Sequence, residues 1–455
     1  MTSRYIPSAL ALTVAAGWAL PAQAQVSTIQ QELAQMRTQM QAMASRIDTL
    51  HSQLDAAKAE AAAANEAAGN AVELATQVKE NPPVKVSWKG APKLEGKGGW
   101  SFKPRGRLNY DAGFTNAPDS TGRSDGFGSE ARRARLGFEG DIPGGFGYKF
   151  ELDFAGSDVE VTDAILSYKN DGLKVSIGQQ NNFQGLEELS SSRHTSFIER
   201  AAFTDAFGFE RRVGISAQYG AGDILVQGGL FSDNMSDLSN KSWSADGRIV
   251  FMPKTGDAQL HFGGSMHYSE LRDASDTVRY RQRPLVHFTG NRFINTDAFS
   301  ADSELGFGLE AAGIFGPFHA AAEGYWQKVS RPGALADPTF FGGYVEAGYF
   351  LTGGDTRGYK KGTFGRVKPK NPVGDGGLGA WQVNVRYDYL DLTDAGIVGG
   401  TQNAYQVSLV WTPTNYTRLM LNYGHQMYDD AFYPAAGGDT SYSVDAFGVR
   451  AQVDF

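Results

Sequence analysis

The chain has 455 residues, 56 of them glycine, and no cysteine, so it exceeds one small domain and cannot form disulfides. Its formal net charge is −8, which gives no reason to expect a nucleic-acid partner. The mean hydropathy is −0.35, and no run of about eighteen apolar residues remains after the N-terminal segment, which excludes a membrane protein built from helices.

Residues 1–24 have the pattern of a secretory signal peptide. Arg4 supplies the positive charge, residues 8–20 supply the apolar run, and residues 22–24 (Ala-Gln-Ala) form a small-x-small cleavage site. The alternative is an N-terminal membrane anchor, for which this run is short and rich in alanine. We therefore expect the mature chain to begin at Gln25.

From Val26 to Val78 the apolar residues recur at alternating intervals of three and four. This spacing continues over about seven heptads and predicts an α-helical coiled coil over residues 25–80. The alternative is a single amphipathic helix that lies on the rest of the protein. Asn81 and the two prolines after it end the helix. Residues 81–99 are rich in Gly and Lys towards their C-terminal end and are predicted to be a linker.

The C-terminal run from Gly379 to Phe455 consists of four short segments in which every second residue is apolar or aromatic. In residues 380–391, apolar side chains such as Trp381 alternate with polar ones such as Gln382. Successive side chains of a strand face opposite sides, so this pattern indicates a sheet with one apolar and one charged face. Repeated segments of about ten residues with this alternation are typical of a transmembrane β-barrel.

The same alternation predicts sixteen antiparallel strands between residues 100 and 455, so the fold class is all-β: a transmembrane β-barrel preceded by the coiled coil. Short turns connect the strands on one side, expected to be periplasmic, and mostly long loops such as 392–402 connect them on the other. Residues 352–379 are the exception, because they are long where a short turn is expected. A water-soluble β-sandwich is the rival fold, but it would not need this asymmetry. The predicted strands lie near 101–113, 130–140, 146–155, 159–168, 173–179, 212–219, 223–232, 243–252, 258–269, 304–315, 317–328, 340–351, 380–391, 403–412, 416–427 and 442–455.

Basic side chains alternate with apolar ones on the first predicted strands. Lys103, Arg105 and Arg107 alternate with Phe102 and Leu108, and since the apolar set must face lipid, the basic set faces the lumen. Rows of Arg and Lys attract anions, and guanidinium binds phosphate or carboxylate in a bidentate manner. Inward-facing carboxylates balance part of this charge. The other predicted lumen cations are Arg133, Arg135, Arg212, Arg248, Arg386 and Arg450, with Arg279, Arg281 and Arg283 along a loop. The predicted lumen carboxylates are Glu139, Glu151, Asp153, Asp163, Glu310, Glu323 and Asp388.

The sequence contains none of the common catalytic motifs. HExxH, GxSxG and Walker patterns are absent, as is any cysteine nucleophile. His261, His267 and His319 are predicted to face the lumen on two strands, and we interpret them as polar lining rather than as metal ligands. The sequence therefore predicts neither an enzyme nor a cofactor.

Several long sequence blocks resemble the phosphate-selective porin O and P family. The resemblance covers about 100–455 and implies a trimer of sixteen-stranded outer-membrane barrels in which 352–379 is a periplasmic segment. The blocks are FKPRGRL at 102–108, ARRARL at 131–136, GQQNNFQGLEELSSSRHTSFIER at 178–200, GGYVEAGYFLTG at 342–353, RVKPKNP at 366–372, GAWQVNVRYDYLDL at 379–392, QNAYQVSLVWTP at 402–413 and TRLMLNYGH at 417–425.

The resemblance also implies roles for individual residues. Its pore arginines match Arg107, Arg132, Arg133, Arg281 and Arg283, its constriction aspartate matches Asp163, and a basic position of the third loop matches Arg193. The chain departs from the family pattern at two positions. Glu188 replaces a lysine that is central to phosphate binding, with Arg193 as a candidate partner, and Thr289 stands where another loop arginine is expected.

These observations predict an outer-membrane porin for passive diffusion of small hydrophilic solutes, with a preference for anions and with phosphate as a candidate solute. The expected partners are outer-membrane lipid, small anions and two further copies of the chain. Two alternatives stay open: a general or cation-tolerant pore, and a structural anchor that uses the coiled coil in the periplasm.

Overall fold

The computed structural model describes residues 22–80, 84–123, 126–237, 241–272 and 276–455. They fall into two compact units, one that ends at Pro83 and one that runs from Val84 to Phe455. Residues 1–21, which hold most of the predicted signal peptide, and residues 81–83, where the predicted linker starts, lie outside the described residues.

The N-terminal unit is one α-helix, α1, from Ala22 to Glu80. It agrees with the helix that the heptad spacing predicts. The seam residues Leu33, Met40 and Leu54 are 46%, 67% and 49% exposed. An apolar seam of this kind is covered in a coiled coil by a second helix, so the coiled coil stays a prediction about the assembled protein. Among the described residues, no helix is both long and apolar enough to cross a membrane.

The second unit is an antiparallel sheet of sixteen long strands that closes on itself. The strands are Ser101–Asn116 (β1), Phe127–Ile142 (β2), Phe146–Asp153 (β3), Glu160–Asn170 (β4), Leu173–Asn181 (β5), Arg211–Ala221 (β6), Ile224–Phe231 (β7), Trp243–Phe251 (β8), Ala258–Glu270 (β9), Ser303–Phe315 (β10), Phe318–Ser330 (β11), Thr339–Phe350 (β12), Ala380–Asp394 (β13), Ile397–Thr414 (β14), Thr417–Asp429 (β15) and Tyr442–Asp454 (β16). Strand β16 pairs with β1, with Gly448 opposite Gly113. Closure leaves no edge strand with unpaired backbone groups and confirms the predicted barrel.

The two faces of the wall differ as the alternation predicts. On β1, Leu108 and Tyr110 face outward and are 46% and 49% exposed, whereas Arg107, Asn109 and Asp111 face inward and are buried. The outer face is therefore apolar and the inner face is polar and charged, which is the arrangement of a barrel in lipid.

The connections follow the predicted asymmetry with one correction. Residues 392–402 were predicted to be a long loop, but β13 and β14 extend into this segment and meet at a two-residue turn. Ala395 and Gly396 have φ values of 49° and 82°, the left-handed pair that a tight hairpin requires. The connection between β12 and β13, residues 351–379, is long, as expected.

Part of the predicted linker is ordered strand. Val84–Trp88 and Pro92–Gly96 form a hairpin, and Leu94 pairs with Phe102 of β1, so the hairpin continues the barrel sheet. The remaining short elements are the helices Leu186–Leu189 (α2) and Ala202–Ala206 (α3), the strands Lys254–Thr255, Thr277–Val278, Arg281–Gln282, Ile294–Asn295, Phe299–Ser300, Gly358–Lys360 and Thr363–Gly365, and the 3-10 turns Lys97–Gly99, Asp119–Thr121, Val373–Asp375 and Ala436–Gly438.

The third loop (L3, 182–210) and the described residues of the fifth loop (L5, 271–272 and 276–302) fold into the barrel and divide its interior. Phe203 of L3 stacks on Tyr325 of β11, and Tyr280 of L5 packs edge-on against Phe340 of β12. These rings belong to a large apolar cluster whose strand residues lie on β10 to β16. The open space therefore lies beside the charged inner face of β1 to β6.

We predict that Gly106→Ala destabilises the barrel where β16 closes on β1. The ring of Phe455 lies over Gly106, and the two residues exchange backbone hydrogen bonds of 3.0 and 3.2 Å. A Cβ at position 106 would overlap the ring, and overpacking of this kind costs about 1–3 kcal/mol. Thermal unfolding of the purified protein measures the loss.

Gly247→Ala on β8 is the matched control, because a Cβ there meets no atom within 4 Å. Equal melting temperatures for the two variants would show that the contact between Phe455 and Gly106 does not stabilise the closed barrel.

Candidate functional site

A polar cavity of about 1000 Å³ lies between the inner face of β1 to β6 and the loops L3 and L5. Its lining has more cations than carboxylates, ten against seven, although the chain as a whole is acidic. The cations are Arg105, Arg107, Arg132, Arg133, Arg135, Lys149, Arg193, Arg200, Arg211 and Arg283. The carboxylates are Glu151, Asp158, Glu160, Glu188, Glu199, Asp205 and Glu210.

The structure brings most of the predicted site residues to this cavity. Eight of them line it: Arg105, Arg107, Arg132, Arg133, Arg135, Glu188, Arg193 and Arg283. Three lie elsewhere. Lys103 lines a smaller space at the short-turn end of β1, Asp163 lines an adjoining space beside β5 and β6, and Arg281 is exposed on L5.

A β-bulge turns two consecutive arginines of β2 toward the cavity. Asn109 of β1 lies opposite Arg133 and Tyr110 lies opposite Ala131, so Arg132 is an extra residue in the ladder. Arg132 donates to both carboxylate oxygens of Glu199 in L3, at 2.9 and 3.2 Å. A bulge bends the strand and re-aims a side chain. Strict alternation along β2 would place Arg132 on the outer face of the barrel. Only the family resemblance predicted Arg132 as a pore residue.

Eight of the ten cations lie within 4.0 Å of a carboxylate, on a strand or on L3. Arg105 pairs with Glu139 at 2.7 Å, and Arg135 pairs with Asp153 at 2.6 Å. Asp163 accepts from Lys149 at 2.5 Å and from Arg211 at 3.2 Å, so the predicted constriction aspartate is held between two cations. Alternation along β3 could have identified Lys149, which lies on the same face as Glu151, but alternation along β6 would have placed Arg211 on the outer face with Ile215.

Arg107 and Arg133 have no carboxylate of the described residues within 4.0 Å of their guanidinium groups. Arg107 donates to the hydroxyl of Ser192 in L3 at 2.7 Å. The Nε of Arg107 and the Nη1 of Arg133 have no hydrogen-bond partner, although the two side chains are largely buried. Their positive charge is therefore uncompensated by a direct ion pair on the wall of the cavity.

Glu188 pairs with Arg200 rather than with Arg193. Its carboxylate lies 3.1 Å from Nη1 of Arg200, and Nη2 of Arg200 donates to the backbone carbonyls of Glu188 and Ser190. Burial raises the pKa of Glu188, while the charge of Arg200 acts in the opposite direction. Arg193 instead pairs with Asp454 of β16 at 3.3 Å.

Glu199 links L3 to two strands. Its carboxylate contacts Arg132 at 2.9 Å and Arg450 of β16 at 3.0 Å. Burial alone would raise the pKa of Glu199, but the charges of Arg132 and Arg450 outweigh it and hold the pKa well below its ordinary value. Glu199 therefore stays ionised on the cavity wall.

L3 is held in place by groups on the opposite inner wall. The carboxylate of Glu323 on β11 accepts the backbone N–H of Leu186 at 2.5 Å, and Asp388 on β13 accepts that of Ala202 at 3.0 Å. Arg386 on β13 pairs with Glu187 of L3 at 2.8 Å. The sequence placed Glu323 and Asp388 in the lumen, but it could not show that they bind backbone rather than solute.

Arg292 of L5 is a further cation that sequence reasoning missed. Burial lowers its pKa to about 10, and the neighbouring positive charges of Arg283 and Arg281 add to this effect. It follows Thr289, the position where the family pattern predicted an arginine. A search for arginines a few residues beyond Thr289 could have found it.

The three inward histidines contact different groups. Nδ1 of His261 lies 2.6 Å from the hydroxyl of Tyr359, and His267 lies 2.9 Å from Asp246. His319 lies 2.7 Å from Gln382. Within the part of the chain that the structure describes, no group of three or more acidic or histidine side chains is arranged to hold a metal ion.

Comparison with known proteins gives consistent matches. The family model described as "Phosphate-selective porin O and P" matches residues 102–455. An uncharacterised protein of Caulobacter vibrioides is 46% identical over 386 residues, which cover 82% of this chain and 78% of that protein. Porin O of Pseudomonas aeruginosa is 28% identical over 339 residues, which cover 66% of this chain and 75% of that porin.

Two solved structures share the fold. The trimer form of OmpT from Vibrio cholerae has a TM-score of 0.50 at 13% sequence identity, and the match covers 78% of this chain and 100% of the OmpT chain. The anion-selective porin from Comamonas acidovorans has a TM-score of 0.50 at 14% identity with the same coverage. Identities this low indicate a common barrel architecture and nothing about the solute.

Proposed function

The chain belongs to the phosphate-selective porin O and P family, and we propose that it is an outer-membrane porin that admits small hydrophilic solutes by passive diffusion and prefers anions. The family and the barrel support channel activity in the outer membrane. The proposal includes no reaction and no cofactor.

The anion preference is supported by one observation above all, the unpaired guanidinium groups of Arg107 and Arg133 on the cavity wall. A guanidinium stays charged at any physiological pH. Cationic groups on a pore wall of low dielectric concentrate anions near them. The paired cations around them contribute less, because each is neutralised by a nearby carboxylate.

Conductance measurements distinguish the proposed anion-preferring porin from two alternatives, a general pore and a structural anchor. A general pore would conduct with little preference for either ion, and a structural anchor with a filled lumen would not conduct. The cavity of about 1000 Å³ favours a channel over an anchor. The unpaired guanidinium groups on its wall favour anions over an unselective pore.

We predict that replacing Arg107 and Arg133 together with alanine lowers the selectivity of the pore for chloride over potassium. The reversal potential in a KCl gradient across a planar bilayer measures this change. Dissolved ions in the cavity screen charges over about 8 Å at physiological salt and over shorter distances at higher salt, so the wild-type selectivity should also weaken as the salt concentration rises.

Arg272→Ala is the control, because Arg272 lies on L5 with a side chain that is 54% exposed and does not line the cavity. A wild-type pore that prefers potassium would refute the proposed anion preference.

We propose further that Glu188 makes this porin a weak phosphate binder. The position carries a carboxylate that also neutralises Arg200. We predict that Glu188→Lys strengthens the block of chloride current by phosphate, because it adds a cation and frees Arg200. The Coulomb interaction between a unit charge and the ligand at 4 Å is roughly 4 kcal/mol at an effective dielectric constant of about 20, before solvation of the two charges reduces it.

Glu210→Lys makes the same charge change elsewhere on the cavity wall, where the carboxylate is 48% exposed and lies 3.9 Å from Arg212. Glu188→Lys should act more strongly than this control. Block by micromolar phosphate in the wild-type protein would show that Glu188 does not weaken phosphate binding.

We also propose a homotrimer whose α1 helices associate as a coiled coil in the periplasm. An even number of strands puts both ends of the barrel on the short-turn side, which is periplasmic in such barrels. The exposed seam of α1 gives the helices an apolar surface through which to associate.

We predict that Met40→Cys on the seam gives disulfide-linked copies, since the native chain has no cysteine. Ser45→Cys, on the opposite face of the heptad, is the control. Equal cross-linking at positions 40 and 45 would argue against the coiled coil.

Deletion of residues 26–80 should leave the conductance of the pore intact and lower the melting temperature of the oligomer.

A further inference from the structure

The hairpin that precedes β1 continues the barrel wall below the end of β16. Its two strands, Val84–Trp88 and Pro92–Gly96, are named here the N-terminal hairpin. Strand β16 ends opposite Arg107, so the first residues of β1 have no β16 residue beside them. The second strand of the hairpin pairs with β1 in that place, with Leu94 opposite Phe102. The hairpin therefore occupies the position that β16 would have if it were longer.

The turn of the hairpin is held against the barrel. Gly90 has a φ of 78°, and a Cβ on it would overlap the ring of Tyr416, which belongs to the turn between β14 and β15. Ala91, the next residue, is 2% exposed. Only glycine fits this close approach. The hairpin is thus a fixed part of the wall rather than a free tail.

The two faces of the hairpin match the two faces of the barrel. Val86 pairs with Leu94, and Leu94 pairs with Phe102, which faces outward from β1. Trp88 is two positions beyond Val86 and shares its face. Val86 and Trp88 are 55% and 72% exposed. On the opposite face, Lys93 lines the small space at the short-turn end of β1. The apolar face of the hairpin therefore continues the outer wall, and its polar face continues the inner wall.

Aromatic rings on the outer wall fix the level of the hairpin. Phe102 lies 5.8 Å from Phe138 of β2, and Phe138 lies 5.6 Å from Phe150 of β3, measured between ring centroids. Such rings near the strand ends form the girdle that marks the boundary between lipid headgroups and hydrocarbon. The pairing of Leu94 with Phe102 places the hairpin at this girdle.

The outer edge of the hairpin limits how deeply it can lie. Within the described part of the chain, Val84–Trp88 pairs on one side only. Unpaired backbone groups are too costly to bury in hydrocarbon, whereas headgroups and water can satisfy them. Lys89 follows Trp88 and is exposed. A tryptophan and a lysine side by side suit the headgroup level, where the ring meets acyl chains and the ammonium meets phosphate.

We propose that the N-terminal hairpin binds phospholipid of the periplasmic leaflet, with Val86, Trp88 and Leu94 against lipid at the level of the headgroups. Lipid fits this face better than a second copy of the chain, because the face continues the apolar outer wall and carries the residue pair that favours the headgroup boundary. This role goes beyond the proposed channel and does not depend on which solute passes.

Spin labels at single cysteines test the position of the hairpin, because the native chain has no cysteine. The full chain is labelled at Val86→Cys, on the proposed lipid face, or at Lys85→Cys, its exposed neighbour on the opposite face, and is reconstituted in phospholipid vesicles. Leu309→Cys, at the middle of β10 and 63% exposed, gives the value for hydrocarbon. Oxygen concentrates in lipid and a water-soluble nickel chelate does not enter it, so the ratio of their effects on the label reports depth. We expect a ratio at position 86 that is several-fold higher than at position 85 and lower than at position 309.

Equal ratios at positions 85 and 86 would overturn the proposal, because both labels would then be in water. A label at position 86 that neither reagent reaches would also overturn it and would indicate a second copy as the occupant. Trp88→Cys repeats the measurement on the same face, so the result does not depend on one variant. Circular dichroism of each labelled protein checks that the barrel is folded.

The same measurements separate this role from the proposed function. A wild-type protein that inserts in vesicles but does not conduct would refute the channel and leave the hairpin unaffected. A protein that conducts but whose label at position 86 is in water would refute only lipid binding by the hairpin.

Discussion

The attachment of L3 to the inner wall through buried charges is the constraint on which the rest of the pore depends. The guanidinium of Arg386 lies between the rings of Phe197 and Tyr344, 4.5 Å from each centroid, and pairs with Glu187 of L3 and Glu346 of β12. A buried charge that loses its partner is strongly destabilising. L3 therefore cannot leave the lumen without exposing these charges to unfavourable surroundings, and it forms a fixed wall of the cavity.

The fixed position of L3 explains why the interior is asymmetric. The apolar side of the loop, with Phe203 and Phe207, packs on the inner face of β11 to β15. Its polar side, with Ser192, Arg193 and Glu199, faces the arginines of β1 and β2. A chain with a net charge of −8 thus presents a cavity whose lining has more cations than carboxylates. The field that a solute meets depends on this local arrangement more than on the total charge, because distant charges are screened.

The sequence predicted the barrel well because its signal is local. The period of two follows from strand geometry, and it identified all sixteen strands and the inward direction of Arg105, Arg107 and Arg135. What it could not predict depends on pairing between strands or on the folding of the long loops. The bulge at Arg132 arises from such pairing, whereas the pair formed by Glu188 and Arg200 depends on how L3 folds inside the barrel. The loop predicted at 392–402 was wrong because the turn signals there belong to a tight hairpin between two extended strands.

Residue identity alone does not determine the charge that a solute meets in a porin of this kind. Arg105 and Arg107 are two positions apart on one strand, yet the first is neutralised by Glu139 and the second has no carboxylate beside it. The difference comes from β2, which places Glu139 near Arg105 but Arg135 directly opposite Arg107. A second arginine next to Arg107 repels it instead of neutralising it. The pairing register of β1 and β2 therefore creates the uncompensated charge of the cavity, and a family motif carries that property only where the register is kept.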